Sequence, residues 1–356
     1  ISPKEADLVD PQERLFLETV WDLLEGVGYT REKLRERHRG QVAVYVGAMY
    51  QQYHALRSDP VSESIVSLSA FSGIANRASY FFDFQGPSVA IDTMCSSSLV
   101  AIQMACESLR NGSASLAIAG AVNLSIHPHK YAGLTAAKLM GSHPESRSFA
   151  DGDGYLPAEG VGAVLLKPLA NALRDGDQVL AVIKAVTTNH SGQSGGFGVP
   201  NPQAQAAAVE DCLRRAGVDP RSIGYVEAAA NGSPLGDAIE LKALSNAFGK
   251  HVTELGSIPI GAVKSNFGHA EAASGMAQLS KVVLQMRHRR LAPTLKAARL
   301  NPNIAFGETP FRLQDEPGEW PETAPTGSGE SSAQPRRALI SSIGAGGSTG
   351  HMIVEE

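Results

Sequence analysis

The apolar positions of this 356-residue chain follow two periods. Short runs that are apolar almost throughout read as buried strands: 42–47, 88–92, 116–123, 161–166 and 179–187, then 225–228, 258–265, 338–342 and 351–355. Between them, apolar residues recur at helical spacing near 96–110, 202–216, 237–248 and 270–290. An earlier helix opens with Asp10 at the N-cap, Pro11 at the first position and Glu13 at the third, a capping signature. Leu15, Phe16, Val20, Trp21, Leu23 and Leu24 form its apolar face, and Gly26 and Gly28 end it. Asn201-Pro202 starts the 202–216 helix and Gly217 stops it. The 96–110 segment is apolar nearly all round (Leu99, Val100, Ile102, Met104, Ala105, Leu109), which predicts a helix buried on every side, as between two sheets. Strands alternating with helices predict an α/β fold with helices covering buried sheets. The low-complexity stretch 321–335 reads as an exposed excursion, because strand-like sequence resumes directly after it. No repeat with a short fixed period is present.

Composition narrows the class. A chain that is 43% hydrophobic and 19% charged can bury a large core, and its length suits one large α/β domain or two modest ones. The net charge of -5, with both signs interspersed, argues against nucleic-acid partners. Cys95, Cys106 and Cys212 have no C-x-x-C spacing, so neither a disulfide framework nor a zinc site is expected, and a reducing compartment is. Apolar stretches such as 116–126 fall short of the roughly eighteen residues a bilayer span needs. With no signal-peptide pattern at the start, a cytoplasmic protein without a membrane partner is expected.

Three segments carry candidate chemistry. In SVAIDTMCSSSLVAIQMA a strand runs into a junction with Cys95 at the first turn of a buried helix. A helix N-terminus favours thiolate over thiol, and its N–H groups can polarise a carbonyl, so Cys95 suits nucleophilic acyl transfer. A cysteine chosen at random is more often a buried structural residue, and Cys106 and Cys212 keep that reading. VKSNFGHAEAASGMA places Lys264 at a strand end and His269 before a long helix, where an imidazole tends to be neutral. SSIGAGGSTGH, residues 341–351, fails as a dinucleotide fingerprint because a strand follows it rather than a helix. It fits a loop that brings backbone N–H groups close to a ligand. Asp151-Gly-Asp153-Gly is rejected as a calcium loop, since Tyr155 takes the third ligand position and no glycine stands at the sixth. His127-Pro-His129 reads as a loop, and Arg287-His288-Arg289-Arg290 as a basic helix end or, less favoured, a patch for an acidic partner.

DTMCSSSL, LGDAIE, VKSNFGHAEAASG and SSIGAGG together resemble β-ketoacyl synthases of the thiolase superfamily. SPKEADLVDPQERLFLETVWDLLEGVGY, IANRASYFFDFQGPSVAIDTM, GYLPAEGVGAVLLKPL and LNPNIAFGETPFRLQ resemble ketosynthase domains of modular polyketide synthases, of the kind served by an acyltransferase acting in trans. The likeness covers essentially the whole chain. It implies one thiolase-like domain over 1–356, a five-layer α-β-α-β-α fold of two similar halves, about 40–200 and 201–356, working as a homodimer. Such domains begin with an apolar strand and a Gly-rich turn, so an N-terminal edge is expected to be missing before Ile1. The resemblance makes Cys95 the acyl-accepting nucleophile, His269 the second histidine of the family triad and Lys264 the lysine supporting it. Backbone N–H groups of Cys95 and Ala345 would form the oxyanion hole, with Asp237 and Glu240 as acidic positions behind the site. No tightly bound cofactor is implied; the phosphopantetheine arm of an acyl carrier protein brings the substrate. Carrier domains, neighbouring synthase domains and a second copy of the chain are the expected partners.

One motif departs. Elongating relatives follow the strand VEA with His-Gly-Thr-Gly-Thr, whereas this chain reads Ala229-Ala230-Asn231-Gly232-Ser233, with both flanks aligned without a gap. Ala229 thus stands at the first catalytic histidine's position. Two further departures, Ile343 in place of phenylalanine and Ser348-Thr349-Gly350-His351 in the final loop, bear on the acyl pocket and on Ala345. The expected outcome is acyl transfer without decarboxylative elongation. The alternatives are an elongating enzyme in which Asn231 or a water replaces the lost donor, and a catalytically silent carrier-docking module.

Overall fold

The computed structural model describes the chain except for residues 57–69, 194, 197, 296–298 and 323–333, so most of the 321–335 stretch lies outside the described residues. The chain forms two compact units, one of residues 1–133, 159–179 and 271–276, the other of 134–158, 180–270 and 277–356.

In the first unit, β1 (Val42–Gly47), β2 (Ser88–Ile91), β3 (Leu116–Asn123) and β4 (Gly160–Leu166) form one sheet in the order β2-β1-β3-β4. β1 runs parallel to both β2 and β3, and β4 is antiparallel to β3. Every residue of β1 and β3 is buried, which explains their unbroken apolar sequence. Alternation sorts the side chains. Val42, Val44 and Val46 join Phe16, Val20, Ile74 and Phe82 from the helices Pro11–Gly26 and Ser72–Phe82 in one core. On the opposite face Tyr45 reaches Ser108 of the helix Ser97–Asn111 at 2.8 Å.

The second unit holds a six-stranded sheet, order β5-β12-β11-β6-β7-β9, built from β5 (Val182–His190), β6 (Tyr225–Glu227), β7 (Ile258–Gly261), β9 (Phe311–Leu313), β11 (Arg337–Ile343) and β12 (Ser348–Glu355). β8 (Arg290–Leu291) and β10 (Gly318–Glu319) make a separate two-stranded pair. β6, β7, β9 and β11 are mutually parallel, while β12 is antiparallel to β11 and β5. One face packs Val226, Ile260, Leu339 and Ile353 against Val209, Leu213, Leu241 and Leu244 of the helices Pro202–Ala216 and Pro234–Phe248. The other face carries Tyr225 and Glu227, both bonded to Lys281 of the helix Ser274–His288 at 2.8 Å. Among the described residues no helix is long and apolar enough to cross a membrane.

Several expectations need correction. The helix Ser97–Asn111 is not buried all round: Leu99, Ala101, Ile102 and Ala105 are, but Val100, Met104 and Leu109 are half-buried and Glu107 and Arg110 exposed. Its apolar face is broader than its buried one. The strand expected over 258–265 stops at Gly261, and Lys264 opens a short helix to Phe267. The helix start is as expected, with Asp10 capping it through the Gln12 N–H and Pro11 and Glu13 in its first turn, where the Glu13 carboxylate pairs with Arg77 at 3.0 Å. The strand expected at 179–187 lies at 182–190, where pairing with β12 sets its register.

Candidate functional site

The first unit presents a sharp turn at the C-terminal end of β2. Met94 adopts φ 59°, the left-handed region. Asp92 accepts the Met94 N–H at 2.9 Å, and the Ser97 hydroxyl accepts from Thr93 N–H at 2.9 Å while donating to the Met94 carbonyl at 2.6 Å. A Cβ on Gly47 would stand 2.8 Å from the Ser97 Cβ, so the end of β1 has to be glycine for the turn to lie this close. Cys95 is held at this turn, 7% exposed, its carbonyl accepting from Ser274 Oγ at 3.4 Å. It lies just before the N-cap, Ser96, and not inside the first helical turn as expected. Tyr50 is close enough to feel the charges of Cys95 and Glu271; burial first, then those charges, push its phenol up to about 12. Lys130 and Glu271 form a fully buried ion pair at 2.5 Å, and Lys130 also donates to Asn123 at 3.0 Å.

In the second unit, loops leave the C-terminal edges of the parallel strands β6, β7 and β11, the edge where α/β sheets bind ligands. The loop after β6 is gripped by side chains. Glu240 accepts the Ala229 N–H at 2.7 Å and Lys264 donates to the Ala229 carbonyl at 2.5 Å. Ser148 donates to the Ala230 carbonyl at 2.8 Å. Asp237 accepts from Asn231 at 3.0 Å, Gly232 at 3.1 Å and Phe149 at 2.8 Å. Asp237 and Glu240 sit three residues apart on one face of a helix that Ser233 caps and Pro234 opens. Burial pushes the Glu240 carboxyl up to about 8, outweighing the Ala229 hydrogen bond and the Lys264 charge, and raises Asp237 as well.

The loop after β7 carries His269, 2% exposed. Its backbone is clamped by Leu156 (2.8 Å) and Ala158 (2.9 Å), and its ring meets Tyr155 edge-on with centroids 4.7 Å apart. Gly268 precedes it at φ 99°, where a side chain would be strained. The turn after β11 contains Ala345, whose N–H makes no hydrogen bond among the described residues, while Gly344 and Gly347 close the turn. His351 is buried beside Ser341 at 3.0 Å, and burial pulls its imidazole down to about 4.

This layout has known relatives. Residues 1–172 match the β-ketoacyl synthase N-terminal domain and residues 180–298 its C-terminal domain. The chain belongs to the β-ketoacyl synthase family. Polyketide synthase PksL of Bacillus subtilis is 48% identical over 100% of this chain, which spans 8% of that protein. Polyketide synthase ThaG of Burkholderia thailandensis is 47% identical over 100% of the chain, which spans 6% of it. Among solved structures, an oxazolomycin ketosynthase domain of Streptomyces albus JA3453 superposes with TM-score 0.92 at 48% identity, covering 100% of this chain and 62% of that one. The ketosynthase from module 6 of the Bacillus subtilis 168 bacillaene synthase gives 0.91 at 34% identity, covering 100% and 60%. The fold is therefore the thiolase-like ketosynthase fold.

Within this ketosynthase, the structure brings Ala229, Lys264, Asp237 and Glu240 together in the second unit. Asn231 spends its side-chain oxygen on the Ser233 N–H at 3.1 Å, inside its own turn. The segments 127–129 and 151–154 are taken up by local partners. Asp153 accepts from Ser142 and Asp151 pairs with Arg147 at 3.2 Å. The rings of His127 and His129 meet at 4.3 Å, and among the described residues no cluster of three His, Cys, Asp or Glu could hold a metal. Residues 341–351 form a hairpin, not a dinucleotide loop. The sequence did not reveal Ser148, Gln278 or the Lys130–Glu271 pair, because nothing in their local patterns announces partners 50, 82 or more positions away. Tyr155, set aside as a calcium ligand and contained in the GYLPAEG motif, gave no local sign of its contact with His269.

Proposed function

We propose that this domain takes an acyl or polyketide chain from an acyl carrier protein onto Cys95 and passes it to a downstream carrier without elongating it. The observation that carries the reading is Ala229: both of its backbone groups are held by buried ionisable side chains, yet its own side chain is a methyl. Loading requires the Cys95 thiolate to attack the thioester carbonyl and expel the phosphopantetheine thiolate. N–H donors, assigned to Cys95 and Ala345, stabilise the tetrahedral oxyanion. The turn at Met94 and the unengaged Ala345 N–H support that step. Transfer to the next carrier is the same displacement reversed.

Elongation asks for more. Malonyl thioester must lose carbon dioxide, and the enolate oxyanion needs preorganised donors. Losing one such donor costs about 2.7–4 kcal/mol, or roughly 10²–10³ in rate. His269 remains as one donor; the Asn231 side chain is tethered inside its own turn by the Ser233 N–H on its oxygen, which holds its amide N–H donors there rather than at the Ala229 position. The relatives support a place in a polyketide synthase, and the motif resemblance points to one served by a trans-acting acyltransferase. Carrier domains and neighbouring synthase domains are then its partners, in the cytoplasm. Among the described residues β2 pairs with β1 alone, and that sheet edge supports a homodimer joined along it.

Intact-mass spectrometry tests the transfer. Acyl-loaded protein mixed with holo carrier protein is expected to lose the acyl mass while the carrier gains it. An acyl group that stays on the protein, or never loads on Cys95, contradicts the reading and favours a silent docking module.

A further inference from the structure

We propose that Gln278 is a positioning residue that fixes the Ala229 loop and the turn holding Ala345 relative to each other. β6 and β11 pair in parallel through Tyr225, Val226 and Glu227 opposite Ala338, Leu339 and Ile340. Beyond that point they part. The Ala228 N–H turns to Gly261 of β7 at 2.8 Å, and Ser341 pairs with His351 of β12. The Ala228 and Ser341 carbonyls face the resulting gap. The Gln278 amide nitrogen donates to both, at 2.9 Å and 2.8 Å.

The geometry admits one orientation. Gln278 is fully buried and its amide oxygen has no hydrogen-bond partner among the described residues. Exchanging oxygen and nitrogen would set an acceptor against two acceptors. An amide that tolerates a buried orphan oxygen to satisfy two carbonyls is committed to holding them. Ala228 adjoins Ala229, and Ser341 is the strand residue from which the chain runs to Ala345. A single amide therefore closes the split between two strands whose loops carry the lost histidine position and an oxyanion donor.

This role rests on the acyl-transfer reading, so the test has one arm that does not. Amide hydrogen exchange is compared in the wild type, Gln278→Leu and Gln278→Glu, alongside acyl transfer from Cys95 to holo carrier. In Gln278→Leu the Ala229 and Gly232 amides are expected to exchange about tenfold faster or more. Turnover should fall roughly ten- to a hundredfold with KM nearly unchanged. In Gln278→Glu the neutral carboxyl can donate to one carbonyl and the ionised form repels both, so both defects should grow as pH rises from 6 to 8. Wild-type exchange in both variants overturns the proposal. So does a loss of turnover that only follows global unfolding, with no local change and no pH dependence in Gln278→Glu. If wild-type protein transfers no acyl group, the functional reading falls and exchange alone decides the role of Gln278.

Discussion

The ammonium of Lys264 donates to the backbone carbonyl of Ala229 at 2.5 Å. From the other side Glu240 takes the Ala229 N–H, so the loop is fixed at a residue that carries no chemistry of its own. A side chain placed there would inherit a backbone that is already oriented.

Restoring the imaginable donor is the first consequence. Ala229→His is expected to raise decarboxylation of malonyl carrier protein by about 10²–10³ over wild type, read as carbon dioxide release per turnover. An unchanged rate would mean that elongation either never depended on this position or is already compensated.

Lys264→Met leaves the Ala229 carbonyl unpaired in a buried site and removes the cation that draws Glu240 and Asp237 downward. Chemical denaturation should show a loss of about 1–3 kcal/mol, and the Glu240 carboxyl should move further up.

Glu240 gives a pH signature. Its carboxyl titrates near 8 in the folded protein against 4.5 ordinarily. The unfolded chain ionises first, so this group's contribution to stability is present below about pH 4.5 and lost as pH rises to about 8. Glu240→Gln should remove that slope, and thermal melting of the two proteins from pH 5 to 8 shows whether the variant gains on the wild type.

Thiol chemistry separates the three cysteines. Burial pushes Cys106 up to about 11 and Cys212 up to about 12, so neither offers thiolate at neutral pH. A mild alkylator, followed by peptide mapping, is expected to modify Cys95 first. Equal labelling of all three would remove the support for a reactive nucleophile.

Gly47→Ala probes the turn around Cys95. The added methyl meets Ser97 Cβ at 2.8 Å and the Ser97 backbone at 2.9 Å. Overpacking of this kind costs about 1–3 kcal/mol, and acyl loading of Cys95 should slow more than the folded fraction does.

Much of this was legible in the sequence, for identifiable reasons. β1 and β3 are buried on both faces, so their apolar runs had a single reading. Pro202 after Asn201 fixed the start of one helix, and the same signal, Ser233-Pro234, was available for the helix expected only from 237. Cys95, Lys264, His269, Asp237, Glu240 and Ala229 lie in or beside contiguous motifs whose order carried the family resemblance. Three things resisted. Apolar sequence continues to Val263, two residues past the strand's end at Gly261, so hydropathy alone could not end the strand before the Lys264 helix. The polar face of the helix Ser97–Asn111 is narrow enough to be missed beside its apolar residues. Gln278 bridges Ala228 and Ser341 across 50 and 63 positions, a relation that sheet topology creates and local pattern does not contain.

The central claim is that the loop at Ala229 permits transfer and withholds condensation. The most direct measurement offers malonyl carrier protein to protein already acylated on Cys95 and weighs the carrier-bound product. The account predicts malonyl carrier left unextended while a parallel sample transfers its acyl group to holo carrier. A carrier-bound chain two carbons longer than the one loaded would contradict it.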